Sequence, residues 1–402
     1  MRLSACLALL AAGLAGAGQT ANRSAPAHVV PFELYRDAVW LKVTVNGSAP
    51  LSFILDSAAG RCVVARAAAE KLKMFIVEQG VQNVSPAENP VKLGASPNVR
   101  FGIGGAEITT HAAVVPFEVP SDEWGKRFDG AIGYELFAAW VVALDFDAHK
   151  IALYDPETFE YRGASAVVPL RIVQNKPIVR TRFGLPGTGP IEGDFEVDTG
   201  GSSSIVFTSP FVREHDLIAA SQRMVPRLID SPHIGVGGTA RRVLGRVEFV
   251  EVGPYRVRNP IAGFIQAESG SLAKGNVAGI LGCFLLHRFN VIFDYRRSRL
   301  ILAPNSHFAE PPDEYDMSGM ELRARGEDYG EIYVMSVTPG SPAAANGVQA
   351  GDVLLAVDGK TLKGMPLRDV ARLFTKDGAA RRVQVDRAGQ RRTFRFVLRR
   401  VL

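Results

Sequence analysis

Cysteine is scarce in this chain: 3 in 402 residues, at Cys6, Cys62 and Cys283. So few cannot build a disulfide scaffold, and no Cys-x-x-Cys or His-x-x-x-His spacing is present to hold a metal. The 7 histidines are scattered, no metal site is expected, and no motif calls for a cofactor. A Gly-x-Ser-x-Gly elbow is missing, which removes the main signal of a serine hydrolase. Charge of one sign is not in excess, the net being +5. Eight Arg and one Asp cluster between Arg381 and Arg400, but only Phe394 and Phe396 interleave with them, too few aromatics for a nucleic-acid surface. No nucleic-acid partner is expected, although attraction to acidic membrane surfaces stays open. Long apolar runs are confined to Leu3–Leu14, shorter than a membrane span needs.

That run follows Arg2 and precedes Ala15-Gly16-Ala17, the pattern of a cleaved secretory signal over residues 1–17. The expectation is an exported chain, periplasmic or secreted, with no transmembrane segment after processing. Cleavage leaves Cys62 and Cys283, which fall in different halves of the repeat described below. They read as unpaired core residues.

The apolar fraction of 47% is ample for packed cores, and most of it is written as short alternating stretches punctuated by Gly, Pro and Asn. Val39-Trp40-Leu41-Lys42-Val43-Thr44-Val45, stopped by Asn46-Gly47, is one example. Helix-period segments are few, so the fold class is mostly β. The helix-like exceptions are Ala65 to Lys73 and a start at Ser209 with Pro210 at its first position.

The chain repeats itself. Ser52-Phe53-Ile54-Leu55-Asp56-Ser57-Ala58 and Asp194-Phe195-Glu196-Val197-Asp198-Thr199-Gly200 each run an apolar stretch into Asp-[Ser/Thr]-[Ala/Gly]. Chance alone places such a tripeptide about 0.4 times in a chain this long. Roughly 70 to 80 residues later come Gly130-Ala131-Ile132-Gly133 and Gly279-Ile280-Leu281-Gly282. The offset between halves is 138 at Val29/Val167, 142 at Asp56/Asp198, and stays at 149 from Gly104/Gly253 through Leu153/Leu302. Its changes fall in Gly- or Pro-rich stretches, where insertions are tolerated. Two carboxylates on equivalent loops of two similar halves can meet at a pseudo-two-fold axis. Asp145 and Asp294 also match, but without the following hydroxyl and small residue they read as strand ends before turns.

The halves run over residues 27–155 and 164–303, and residues 304–316, with Pro311-Pro312 and four acids, form a linker. Residues 317–402 make a third unit, with Pro339-Gly340-Ser341-Pro342-Ala343-Ala344-Ala345-Asn346-Gly347-Val348 and Ala350-Gly351-Asp352-Val353-Leu354. This stretch closely resembles a bacterial PDZ domain, a small α+β fold. The resemblance implies that Ser318, Gly319, Met320 and Leu322 hold the C-terminal carboxylate of a peptide ligand through backbone N–H groups.

The first 300 residues resemble the retropepsin-like aspartic proteases, in the two-lobed single-chain form that pepsin also has. The residues carrying that likeness are Asp56-Ser57-Ala58, Asp198-Thr199-Gly200 and the later Ile132-Gly133 and Leu281-Gly282. It implies two pseudo-symmetric β lobes, an Asp56/Asp198 dyad sharing a water, and an extended peptide or unfolded protein as substrate. Ser57 and Thr199 would bond across the lobe interface, while Ala58 and Gly200 leave room for the substrate backbone. With both lobes on one chain, a monomer is expected to be competent. A mobile flap is placed at Gly235, Val236, Gly237 and Gly238, with a second candidate in the Gly80–Pro97 stretch. Arg61 lies just past the first loop, where it would bias Asp56 or simply face solvent. The alternative reading is a peptide-binding protein that keeps the cleft and the PDZ domain but has lost turnover.

Overall fold

The computed structural model describes residues 25–82, 90–116, 121, 124–225, 227–235, 238–311, 314–326, 328–400 and 402. The signal-like segment, Val236 and Gly237 lie outside them. The chain is mostly β, 48% strand and 13% helix. Two lobes and a C-terminal domain account for it.

The first lobe is an eight-stranded sheet, ordered Glu33–Tyr35, Ala38–Val45, Leu51–Leu55, Gly130–Ile132, Val63–Ala65, Ala106–Val115, Val91–Ile103 and Val77–Gln82. The second repeats the scheme around Lys176–Gly184, Ile191–Asp198, Gly279–Gly282, Ile205–Phe207 and Ile261–Ile265. The pleat sorts the side chains of Ile191–Asp198. Gly193, Phe195 and Val197 face the core, which brings Asp194, Glu196 and Asp198 onto the other face. Leu51–Leu55 instead carries Phe53, Ile54 and Leu55, all buried, into its Asp loop.

Beneath both lobes runs a six-stranded sheet to which each contributes three strands. Val141–Asp145 pairs antiparallel with Phe289–Asp294 at its centre, in the register Val142↔Phe293 and Leu144↔Val291. His28–Pro31 and Ala166–Pro169, the strands that open the two halves of the repeat, are its two edges. The pseudo-dyad seen in the sequence therefore passes through this pairing. Asp145 caps a turn by accepting from the N–H of Ala148 at 2.9 Å, and Asp294 caps a short helix, accepting from the N–H of Arg297 at 3.3 Å. Neither Asp145 nor Asp294 lines the cleft. Arg66–Lys71 and Ser209–Glu214 are the expected helices after the two Asp loops.

The two lobes and the six-stranded sheet share one apolar core, and residues 317–398 have their own around Met320, Ile332, Val334, Leu354, Phe374 and Val383. The stretch before that domain is held rather than loose. Arg288 donates to the carbonyls of His307 and Glu310 through Nη1 at 3.3 and 3.0 Å, and to Pro311 through Nη2 at 2.9 Å. Among the described residues no helix is long and apolar enough to cross a membrane.

Candidate active site

Each Asp loop is built from two strands. Leu51–Leu55 lies parallel to Gly130–Ile132, and Asp56 donates its N–H to the Ile132 carbonyl at 2.9 Å. Ile191–Asp198 lies parallel to Gly279–Gly282 in the same way. The glycine that ends each later strand is required by space. A Cβ on Gly133 would lie 2.5 Å from the Arg61 carbonyl and 2.6 Å from that of Ala59. On Gly282 it would lie 2.2 Å from the Ser203 carbonyl. The loop backbone folds directly over these positions and is tied there, Tyr134 donating to the Ala59 carbonyl at 3.0 Å and Cys283 to that of Gly201 at 2.7 Å.

The two loops interlock. The Ser57 N–H donates to Thr199 Oγ1 at 3.1 Å, and the Thr199 N–H donates to Ser57 Oγ at 3.1 Å. Each hydroxyl then donates into the opposite strand, Ser57 Oγ to the Val197 carbonyl at 2.6 Å and Thr199 Oγ1 to the Leu55 carbonyl at 2.7 Å. Both side chains are fully buried. The expected bonding across the lobes is thus reciprocal.

The carboxylates are held by their own loops. Asp56 Oδ1 accepts from the N–H groups of Ala58 and Ala59 at 2.9 and 2.8 Å. Asp198 Oδ1 accepts from those of Gly200 and Gly201 at 2.8 and 2.9 Å. Fixing Oδ1 leaves Oδ2 of each for other chemistry. Gly200 touches the opposite loop: a Cβ there would sit 2.9 Å from Cβ and Cγ of Asp56. At the equivalent position the first loop carries Ala58, so the pseudo-symmetry is broken at this contact.

Asp56 and Asp198 open into one cavity of about 830 Å³. Its first-lobe wall includes the apolar Val63, Leu93, Val115, Trp124 and Phe128. Its second-lobe wall adds the polar Ser202, Ser203, His233, Arg242 and Asn276 beside the apolar Ile234, Leu272 and Ile280. Burial raises Asp56 above the ordinary carboxylate range, opposed by the N–H groups of Ala59 and Ala58 and by the Lys176 charge. Asp198 is raised well above that range, by burial first and then by the Asp56 charge beside it. Both carboxyls are thus pushed toward the protonated form, which favours one shared proton, and a cation, Lys176, acts on Asp56.

Sequence reasoning missed the source of this asymmetry. Lys176 Nζ donates to both Glu196 carboxylate oxygens at 3.1 Å, and the pair lines the cavity. Glu196 stands two residues before Asp198, where the first lobe has Ile54 before Asp56. A charge at that repeat position was the available signal. Arg61 is exposed and also lines the cavity. Next to Lys176, the turn Gln174–Asn175 has both residues at positive φ, 52° and 65°. Its tip reaches the opposite lobe, Asn175 Nδ2 donating to the Gly60 carbonyl at 3.1 Å.

Two hairpins border the cavity. His233–Gly235 pairs with Gly238–Ala240, Gly235 opposite Gly238, so two of the four expected flap residues flank the hairpin tip. Gly235 lines the cavity, whereas the expectations at Val236 and Gly237 fall outside the described residues. In the first lobe Val77–Gln82 pairs with Val91–Ile103, and Gln79 and Gln82 line the cavity. Burial, then Arg242, lowers His233 to about 3, which keeps it neutral near pH 7.

Cys62 and Cys283 are free and buried, and Cys62 Sγ accepts from the Gly133 N–H at 3.4 Å. The fold brings His287, His307 and Glu310 together with ligand-type atoms within 4.8 Å of one another, a cluster the sequence spacing did not announce.

In the C-terminal domain the segment at residues 318–322 is engaged within the chain. The N–H groups meant for a ligand carboxylate are already in use. Those of Ser318 and Gly319 donate to Asp316 Oδ1 at 2.9 and 2.6 Å, and that of Met320 to Ser318 Oγ at 3.0 Å. Burial raises Asp316 to about 6, against the hydrogen bonds of this loop. Gly319 adopts φ +81°, and a Cβ on it would lie 2.2 Å from Cβ of Ser341. The side chains of Met320 and Leu322 pack into the domain's core.

Comparison with known proteins agrees with this division. Residues 41–136 match the family model "Aspartyl protease", and residues 333–387 match "PDZ domain". A curated relative, the chloroplastic C-terminal processing peptidase of Tetradesmus obliquus, is 40% identical over 56 residues, 14% of this chain and 12% of that protein. This chain therefore spans about an eighth of that relative's length. A solved photosystem II D1 C-terminal processing protease is 30% identical over 22% of this chain and 24% of that one, with a TM-score of 0.21. The chain carries an aspartyl protease domain in its first lobe and a PDZ domain near its C-terminus.

Proposed function

We propose that the protein is an aspartic endopeptidase that hydrolyses peptide bonds in extended segments, with Asp56 and Asp198 as its catalytic pair. The observation that carries this reading is the interlocked pair of loops, each presenting one half-buried carboxyl into a shared cavity. Asp56, the ionised member, takes a proton from a water held between the two carboxyls. The water oxygen attacks the scissile carbonyl carbon. Asp198 gives its proton to the carbonyl oxygen, so no free oxyanion forms. The tetrahedral adduct collapses as Asp56 passes its proton to the leaving nitrogen and a hydroxyl proton returns to Asp198. The products are one carboxylic acid and one amine, and the pair is restored. Ser57 and Thr199 act by position, and their hydroxyls are committed as donors to main-chain carbonyls.

The substrate is a peptide or unfolded protein, the PDZ domain takes peptide C-termini, and the chain works after export, periplasmic or secreted. A C-terminal processing activity, which the curated relative's name states, fits a peptidase that reads tails. A single chain supplies both loops, so activity per mole should not change on dilution. A steep fall would point to a site assembled from two chains.

The test is incubation with an unfolded protein mixture across pH 3 to 8, with and without a statine-type inhibitor, read by mass spectrometry. Inhibitor-sensitive internal cuts support the reading. Peptide binding without cuts, at any pH, would favour a peptide-binding protein on a protease fold.

A further inference from the structure

The PDZ domain meets both lobes through the surface on which it would take a peptide. Its strand Met320–Arg325 ends the sheet order and among the described residues pairs only with Glu331–Val337, so its other edge is where an added strand would lie. The helix Leu367–Arg372 packs beside it. Between strand and helix sits Gly125 of the first lobe. A Cβ on Gly125 would be 3.0 Å from Cβ of Ala324 and 3.0 Å from Cβ of Leu367. Arg368 of that helix also donates to the first lobe, to Glu33 Oε1 at 3.4 Å and the Leu34 carbonyl at 3.2 Å.

At the carboxylate end of the same groove, the second lobe closes in. Ile229, Asp230 and Ser231 face Asp316, Gly319 and Met320 across a space of about 20 Å³. That is room for about one water, not for a terminal residue. Tyr315 is hydrogen-bonded with Ser231, and Arg227 Nη1 donates to the Pro339 carbonyl at 2.5 Å. Asp316 Oδ1 occupies the N–H groups of the loop, the chemical stand-in for a ligand carboxylate.

Both clamped segments border the cleft. Trp124, next to Gly125, lines the catalytic cavity. Ser231 is followed by Pro232, His233, Ile234 and Gly235, which line it from the other side. Arg242, on the cavity wall, holds that segment through the Ser231 and Pro232 carbonyls at 2.8 and 3.3 Å.

We propose that the PDZ domain is docked on the two lobes through its own peptide groove, with Asp316 in the carboxylate seat, and that a peptide with a free C-terminus competes with this docking and frees the segments bordering the cleft. The cleft segments are latched while the groove is self-occupied. Entry of the peptide carboxylate expels Asp316 from the loop. Entry of its strand expels Gly125 and residues 229–231. Cleft and groove are then linked sites, and substrate access rises with PDZ occupancy. The activity arm rests on the peptidase reading, but the docking does not.

The probe is a pool of hexapeptides of degenerate sequence ending in Val, Leu, Ala or Phe with a free carboxylate, against the same pool amidated. Amide hydrogen exchange of the full chain is followed at residues 124–126 and 229–235, alongside cleavage of an internally quenched peptide whose C-terminus is amidated. Free-acid peptides should speed exchange in both segments and raise cleavage, and amidated ones should do neither. Asp316→Ala should bind the free-acid pool about tenfold tighter, because the competing internal ligand is gone. Asp316→Asn, which keeps the Oδ1 acceptor, should stay near wild type. Arg368→Glu, facing Glu33, should speed exchange without peptide. No free-acid-specific change in exchange, or weaker binding by Asp316→Ala while Asp316→Asn is folded, overturns the proposal. Faster exchange with no cleavage under any condition leaves the docking standing and removes the peptidase reading.

Discussion

Ser57 and Thr199 exchange hydrogen bonds as a reciprocal pair, each N–H donating to the other's hydroxyl at 3.1 Å. Each hydroxyl also donates to a carbonyl of the opposite strand, so four buried polar bonds hang on two side chains. Removing either side chain strands partners that are themselves buried. Thr199→Val and Ser57→Ala should each cost about 1–3 kcal/mol for every group left unpaired. Thr199→Ser keeps the hydroxyl and should stay close to wild type. Urea titration measures this, and a Thr199→Val protein as stable as wild type would mean the interlock contributes nothing net.

The second prediction concerns the carboxyls themselves. Asp56→Asn or Asp198→Asn should abolish peptide cleavage with the fold intact, because on the proposed mechanism each removes one half of an acid–base pair that acts as a unit. The double variant should be no slower than either single one. Steady-state kinetics on one fluorogenic peptide, with circular dichroism for the fold, decides. A single variant that keeps most of its turnover would show that the pair is misassigned.

Gly133 and Gly282 support the loops from behind. Loop carbonyls lie 2.5 Å and 2.2 Å from where their Cβ atoms would be, and a backbone cannot give way as a flexible side chain can. Gly133→Ala and Gly282→Ala should therefore each destabilise by roughly 1–3 kcal/mol or more. They should also lower kcat, since the displaced loop carries the carboxyl. Gly189→Ala, where nothing lies within 4 Å, is the control and should be near neutral.

Much of this architecture is written in local pattern. The period-two alternation of Val39 to Val45 and the Asp-hydroxyl-small loops need only neighbours along the chain to be recognised. The repeat between halves, with its offset held at 149 from Gly104/Gly253 onward, carried the two-lobed plan and the reciprocal roles of Ser57 and Thr199. What stayed hidden depends on contacts between distant segments. Asp316 looks like one of four acids in a linker, and nothing near it announces that its carboxylate fills the loop at Gly319. Likewise Gly125 gives no sign that it packs between Ala324 and Leu367, 199 and 242 residues further along the chain. Lys176 and Glu196 were legible as charges, but not as a pair inside the cavity.

That pair sets the last prediction. Lys176 lowers Asp56, while Glu196 raises both Asp56 and Asp198. With Lys176 neutralising Glu196, Asp56 stays ionised to lower pH than burial alone would allow. Lys176→Met removes the cation and leaves the Glu196 charge unopposed, so both changes push Asp56 upward. On the proposed mechanism one carboxyl of the pair must be ionised, so the acidic limit follows the lower apparent pKa of the pair. The acidic limb of kcat/KM should therefore move to higher pH in Lys176→Met. Glu196→Gln takes away a charge that raises Asp56 and leaves Lys176 in place, so its limb should move to lower pH. Opposite displacements from two neighbouring substitutions are hard to obtain from a general loss of structure, which would lower the whole profile without moving it. The check is a kcat/KM profile of the three proteins at constant ionic strength. Limbs that coincide would mean that the pair does not reach the carboxyls electrostatically.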